Sequence, residues 1–241
     1  MMTRSLCLLG FSILTSVSFA QTARLDTAFL TSAKIYQKNL YENFIHGQSR
    51  LYNGSEHRDY LSRDEEHPYF GVDDWAYGTL VYDDEVYQNV PMFYDLSRDR
   101  VISEHILNGA KIEMVTEKIS RFTMSGHTFV RLYKDEGKII STGFYDMLYN
   151  GPSKVFVQRV KLLQQKVESN DIIARFEERN RIYLYKDGKY YPVKKKKSVM
   201  AVFADRKQDL KSFLKKNKIK YRGDRETAIV RLAQFYDAQP Q

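Results

Sequence analysis

Two groups of residues in this sequence have the types and spacing to do chemistry. The first is a lysine run, Lys194, Lys195, Lys196 and Lys197. It is followed by Lys207, Lys211 and Lys215 at four-residue steps, and then by Lys216, Lys218 and Lys220. Clustered ammonium groups recognise anions, and close to an anionic surface each contributes about 1 kcal/mol. The second group lies in residues 55–75, where His57 and His67 stand among Glu56, Asp59, Glu66 and other carboxylates. Imidazole and carboxylate together serve general acid–base catalysis and coordinate divalent metals.

Neither group has the fixed spacing of a known motif. The chain contains no G-x-S-x-G, no H-E-x-x-H, no phosphate-binding glycine loop and no dinucleotide fingerprint. Its five histidines, His46, His57, His67, His105 and His127, include no pair four residues apart on one helix face. Asp73-Asp74 and Asp83-Asp84-Glu85 do not follow the spacing of a calcium loop. No catalytic residue, metal ligand or cofactor is therefore assigned, and His57 with His67 stands as an alternative site.

Charge is distributed unevenly along the chain. Residues 193–222 hold twelve Lys or Arg against Asp205 and Asp209, whereas residues 55–86 hold ten acids against Arg58 and Arg63. The opposed patches either meet within the fold or steer separate partners. Lysines four apart on a helix repel by only about 0.2–0.5 kcal/mol per pair. A solvated helix face therefore tolerates them without a ligand, and an anionic contact is the other reading.

The elements that must position these residues follow from periodicity and turn chemistry. Residues 21–50 form an N-terminal helical region, in which Phe29, Ala33, Tyr36, Leu40 and Phe44 make an apolar stripe that ends before Gly47. Residues 51–193 read as an antiparallel β domain. Strands are expected at 77–82, 86–94, 101–102, 128–133, 139–148, 155–162, 181–185 and 190–193, broken by polar turns such as Lys186-Asp187-Gly188-Lys189. The short, repeated turns predict an antiparallel β meander, or a curved, barrel-like sheet. Residues 194–241 form a basic helical region packed on the same domain. A first helix spans 198–203, Asp205 caps a second with Gln208 three residues on, and Asp224 caps a third. The fold class is thus α+β, with an N-terminal helix and two to three C-terminal helices. The aromatics Tyr69, Phe70, Trp75, Tyr77, Tyr82 and Tyr87 crowd the start of the sheet, as core or as the lining of a groove for an apolar or sugar ligand.

Residues 1–20 have the layout of a secretory signal. Arg4 precedes an apolar run, and Ser18-Phe19-Ala20 presents small residues for cleavage between Ala20 and Gln21. The only cysteine, Cys7, lies inside this segment. The exported chain is then expected to have no disulfide, thiolate zinc site or cysteine nucleophile. The run is short for a membrane span, which needs roughly 20 apolar residues. Export places the protein in the periplasm, at the periplasmic face of the outer membrane or outside the cell, where a basic patch seldom meets nucleic acid.

Leu51-Tyr52-Asn53-Gly54, Tyr77-Gly78, Tyr87-Gln88-Asn89-Val90, Phe122 with Gly126-His127-Thr128-Phe129, residues 143–148 and the lysine-rich tail together resemble a group of exported Gram-negative proteins of unknown function. The resemblance covers roughly residues 51–236. It implies export and a β-rich domain with a basic helical C-terminus, and it brings no activity and no site residue. The leading expectation is a non-enzymatic envelope protein. Its partner is an anionic envelope component or a protein, contacted through Lys194–197, Lys207, Lys211 and Lys215. The alternatives are a metal-dependent or His/carboxylate hydrolase built on residues 55–75, and a carrier with an aromatic-lined sheet.

Overall fold

A computed structural model describes residues 32–34, 36, 50–60, 66–105, 108–168 and 171–239. The chain divides into two units, residues 1–45 and 46–241. In the first, residues 32–34 and 36 are helical. The rest of the expected N-terminal helix, and the signal with its Ala20–Gln21 junction, lie outside the described residues.

The second unit is built on one antiparallel sheet of eleven strands. Its strands are β1 (Ser55–Glu56), β2 (Ala76–Tyr82), β3 (Glu85–Asp95), β4 (Arg100–Glu104), β5 (Lys111–Glu113), β6 (Ile119–Met124), β7 (His127–Leu132), β8 (Gly143–Asn150) and β9 (Lys154–Gln158). The chain then leaves the sheet for a separate hairpin, β10 (Lys161–Glu168) and β11 (Asp171–Glu178), and returns as β12 (Arg181–Lys186) and β13 (Lys189–Pro192). The hydrogen-bonded order is β1-β5-β4-β3-β2-β6-β7-β8-β9-β12-β13. Three hairpins close on two residues that both have positive φ: Asp83-Asp84, Ser125-Gly126 and Asp187-Gly188. Such turns match the twist of the strands they join. Gly78 sits where β2 is bulged and β6 comes close. A Cβ there would lie 1.7 Å from the Thr123 carbonyl oxygen, so only glycine fits.

The sheet is curled but not closed. β3 and β8 stand four places apart in the order, which in a flat sheet is roughly 19 Å at about 4.8 Å per strand. Yet the rings of Tyr94 and Phe144 are only 6.0 Å apart. Tyr94, Phe122, Phe129 and Phe144 fill the inside of the curl, with Leu80, Met92 and Ile119 around them. The ladder nevertheless ends at β1 on one side and β13 on the other, so the sheet curves without closing into a barrel. The physical reason lies in the second half of the sheet. There Val155, Val157, Ile182 and Leu184 pack against helices rather than against opposing strands.

Those helices are α1 (Lys196–Val202), α2 (Lys207–Lys216) and α3 (Arg225–Asp237). α1 starts two residues before the expected 198, and Leu210 and Leu214 of α2, and Ile229, Leu232 and Tyr236 of α3, are buried. Asp224 caps α3 as its spacing predicts, accepting from the Thr227 N–H at 2.9 Å. Asp205 does not cap α2. A 3-10 turn at Ala204–Arg206 intervenes, and the Asp205 carboxylate accepts instead from the Tyr236 hydroxyl at 3.0 Å. Strands β1, β5, β6 and β11 are not among those expected, and the largest shifts of expected boundaries are two: β8 begins only at Gly143, and the run expected over 155–162 is cut near Arg159, whose side chain is drawn into an ion-pair network.

Across the curl, Asp99 in the β3–β4 turn accepts from the Tyr94 hydroxyl at 2.7 Å and lies near the Phe144 N–H at 3.3 Å. Burial pushes its carboxyl up, against those hydrogen bonds. The folded state then takes up this proton before the unfolded chain does. Its cost is present at neutral pH and is relieved as pH falls through the raised value. Asn keeps the acceptor and tolerates the φ of 56°. We expect Asp99→Asn to raise the denaturation midpoint at pH 7, with the gain shrinking as pH falls through the raised value and gone below about pH 4. Midpoints measured across that range check it, and a gain that does not change with pH would assign the effect to packing.

Candidate functional site

The lysine run lies at the entry to α1. Lys195 is extended, with φ −120° and ψ 157°, and the helix begins at the next residue. The Ser198 hydroxyl fixes this entry: it accepts from the N–H groups of Lys194 and Lys195 at 3.2 Å each and donates to the Lys195 carbonyl at 2.7 Å. Val199 and Met200 anchor the other side of α1 in the core. The extended-to-helical change brings all four lysine side chains to the wall of one cleft of about 910 Å³, and all four are exposed.

The opposite wall is the approach to α3, residues 221–226, which adds Arg222 and Arg225. Its two acids are already engaged. Asp224 caps the helix, and its hydrogen bond from Thr227 holds its carboxyl below the usual range. Glu226 receives both arms of the Arg159 guanidinium, at 2.6 and 2.7 Å. Arg159 also donates to Asp146, from Nε at 3.0 Å and Nη2 at 2.7 Å, and His127 Nδ1 meets the same Asp146 oxygen at 2.8 Å. Asp146 is fully buried. This His127–Asp146–Arg159–Glu226 chain fastens the first turn of α3, which forms one wall of the cleft, to the sheet. Lys194 and Arg225 also line an adjoining cleft of about 700 Å³ that runs past Arg179 and Arg181.

Lys207, Lys211 and Lys215 take a different position. They lie along the exposed face of α2 and do not line the cleft. Among the described residues, none of the seven predicted lysines has a carboxylate partner. Arg225 and Tyr221 do not stand out from charge clustering or periodicity alone. The signal that would have found them is the Asp224 cap, which fixes where the neighbouring residues point.

His57 and His67 are brought to the same tyrosine. Their rings lie 6.3 Å and 6.0 Å from the ring of Tyr69. The His57 ring is buried, with Nδ1 donating to Glu113 at 2.9 Å and Nε2 3.3 Å from the Tyr69 hydroxyl. Tyr69 donates to Asp59 at 3.1 Å, and Lys111 pairs with Asp59 at 2.9 Å. Burial, with Lys161 nearby, pushes His67 down. The group ties the β1 edge to β5 and the segment that covers β3. Among the described residues, no three His, Cys, Asp or Glu side chains are placed to hold a metal. Of the crowded aromatics, Tyr69 and Tyr82 are buried, Trp75 packs on Phe93 at 4.3 Å, and Tyr77 is exposed.

Fold and site together define a β-rich protein with an open antiparallel sheet, a helical cover on one part of it and a cationic cleft in that cover. Comparison with known proteins finds no matching family model, no matching curated protein and no matching solved structure. Among the described residues, no helix is long and apolar enough to cross a membrane.

Proposed function

We propose that this is an exported, non-enzymatic envelope protein whose basic C-terminal region binds an anionic surface or partner. The observation that carries the reading is where the lysines sit. Lys195, Lys196 and Lys197 occupy the cap and first turn of α1, which contains no acid. Cations at that end of a helix oppose the helix dipole, by about 0.3–1 kcal/mol each at low salt. Stability alone favours Asp or Glu there. A local rule broken without a compensating contact is the mark of a functional position.

Co-sedimentation with vesicles, with and without anionic lipid, tests this reading. Each lysine contributes about 1 kcal/mol at an anionic surface. Replacing Lys194–197 with Gln is therefore expected to weaken binding roughly 100-fold or more. Binding of the parent protein should also fall with added salt, because exposed charges are screened. Binding that ignores both salt and the substitutions would reject the reading, and so would no binding to anionic vesicles at all.

A further inference from the structure

We infer that the cleft between the lysine run and the approach to α3 is a site for clustered phosphate groups carried on one ligand. The inference rests on the anionic-contact reading and adds the chemistry of what is held. A flat lysine face suits diffuse charge; these cations instead surround a concavity. Its volume of about 910 Å³ lies in the range of small-ligand pockets. Lys194, Lys195, Lys196 and Lys197 line it together with Arg222 and Arg225, and its lining includes two acids, Asp224 and Glu226. Because Asp224 is held by Thr227 and Glu226 by Arg159, neither moves to neutralise the lysines.

The ligand is met by side chains rather than by the start of α3, since the Asp224 carboxylate already accepts the Thr227 N–H at that end. Arg225 is the informative residue. Its guanidinium has no acceptor among the described residues, and its Nε is buried without a partner, as is the Tyr221 hydroxyl beside it. A planar fork without a carboxylate matches phosphate oxygens in pairs, and lysines add point charges around them. Six cations against two committed acids exceed what one phosphate balances. Two or three adjacent phosphates, as in a polyphosphate chain or a multiply phosphorylated head group, balance them.

Calorimetric titration of the purified protein with inorganic tripolyphosphate tests this. Saturable binding is expected, beyond that of inorganic sulfate at equal ionic strength. Replacing Lys195, Lys196 and Lys197 with Gln should weaken it more than tenfold. Arg225→Lys, which keeps the charge and removes the fork, should weaken it several-fold. Asp224→Asn keeps the cap and removes one negative charge from the cleft, so it should tighten binding. Gln at Lys207, Lys211 and Lys215 should leave it within twofold. If anionic vesicles bind and tripolyphosphate does not, the phosphate site is wrong and the wider reading stands; if vesicles fail as well, the wider reading falls with it. The source of the phosphates is read by competition. Tripolyphosphate that displaces the protein from phosphatidic acid vesicles assigns the cleft to a head group, and binding without displacement assigns it to a soluble ligand.

Discussion

Replacing Arg159 with Met is expected to remove about 3–5 kcal/mol of folding stability. Asp146 is fully buried and takes three hydrogen bonds on one oxygen, two of them from Arg159, while its other oxygen has no partner among the described residues. Without the guanidinium, a buried carboxylate is left with His127 alone. The cost is that of an uncompensated buried charge, which exceeds the value of the pair itself. The double variant Asp146→Leu/Arg159→Met removes both charges, and it should recover most of the loss. Denaturant midpoints for the two variants separate the readings, because a double variant as unstable as the single one would place the damage in packing. The single variant also frees Glu226 beside the cleft. Its folded fraction should therefore bind tripolyphosphate more weakly, although Arg159 does not line the cleft.

This network shows which parts of the molecule the sequence displays and which it hides. The Asp187-Gly188 hairpin and the Asp224 cap are legible because each depends on residues within a few positions. The Asp205 cap is equally legible, yet a hydroxyl 31 residues away takes the carboxylate. β9 and β10 read as one strand because Val155-Phe156-Val157 and Leu162-Leu163 flank a short polar gap. The break depends on Arg159 finding Asp146 and Glu226, the latter 67 residues on. β6 is hidden by its own irregular pattern. Its Ile119, Phe122 and Met124 are buried, and the alternation slips where β2 is bulged against it. Alternation tells inside from outside but not what lies across the interior. Helices rather than strands cover Val155 and Val157, which alternation alone does not reveal. The lysine run was visible as charge, whereas the cleft needed its second wall.

Phe122→Ala is expected to cost about 3–5 kcal/mol, at the upper end for a core truncation. Phe122 is fully buried and stacks on Phe129 at 4.8 Å, with Tyr94 and Phe144 edge-on at 5.2 Å each. These rings come from β3, β6, β7 and β8, the strands that the curl brings face to face. In a closed barrel the hydrogen-bond ladder itself enforces that geometry. Here the ladder is open, and the curl is maintained by ring contacts with the Asp99 bridge. Removing the central ring therefore leaves a cavity and also loosens the constraint on curvature. Stability should fall by the cavity cost, and amide exchange should speed up first in β7 and β8, ahead of global unfolding. The β9–β12 pair, clamped by α3 through a separate cluster, should keep its protection under the same conditions. Uniform loss of protection across the sheet would mean that the ladder alone holds the curl, and that the aromatic cluster only fills it.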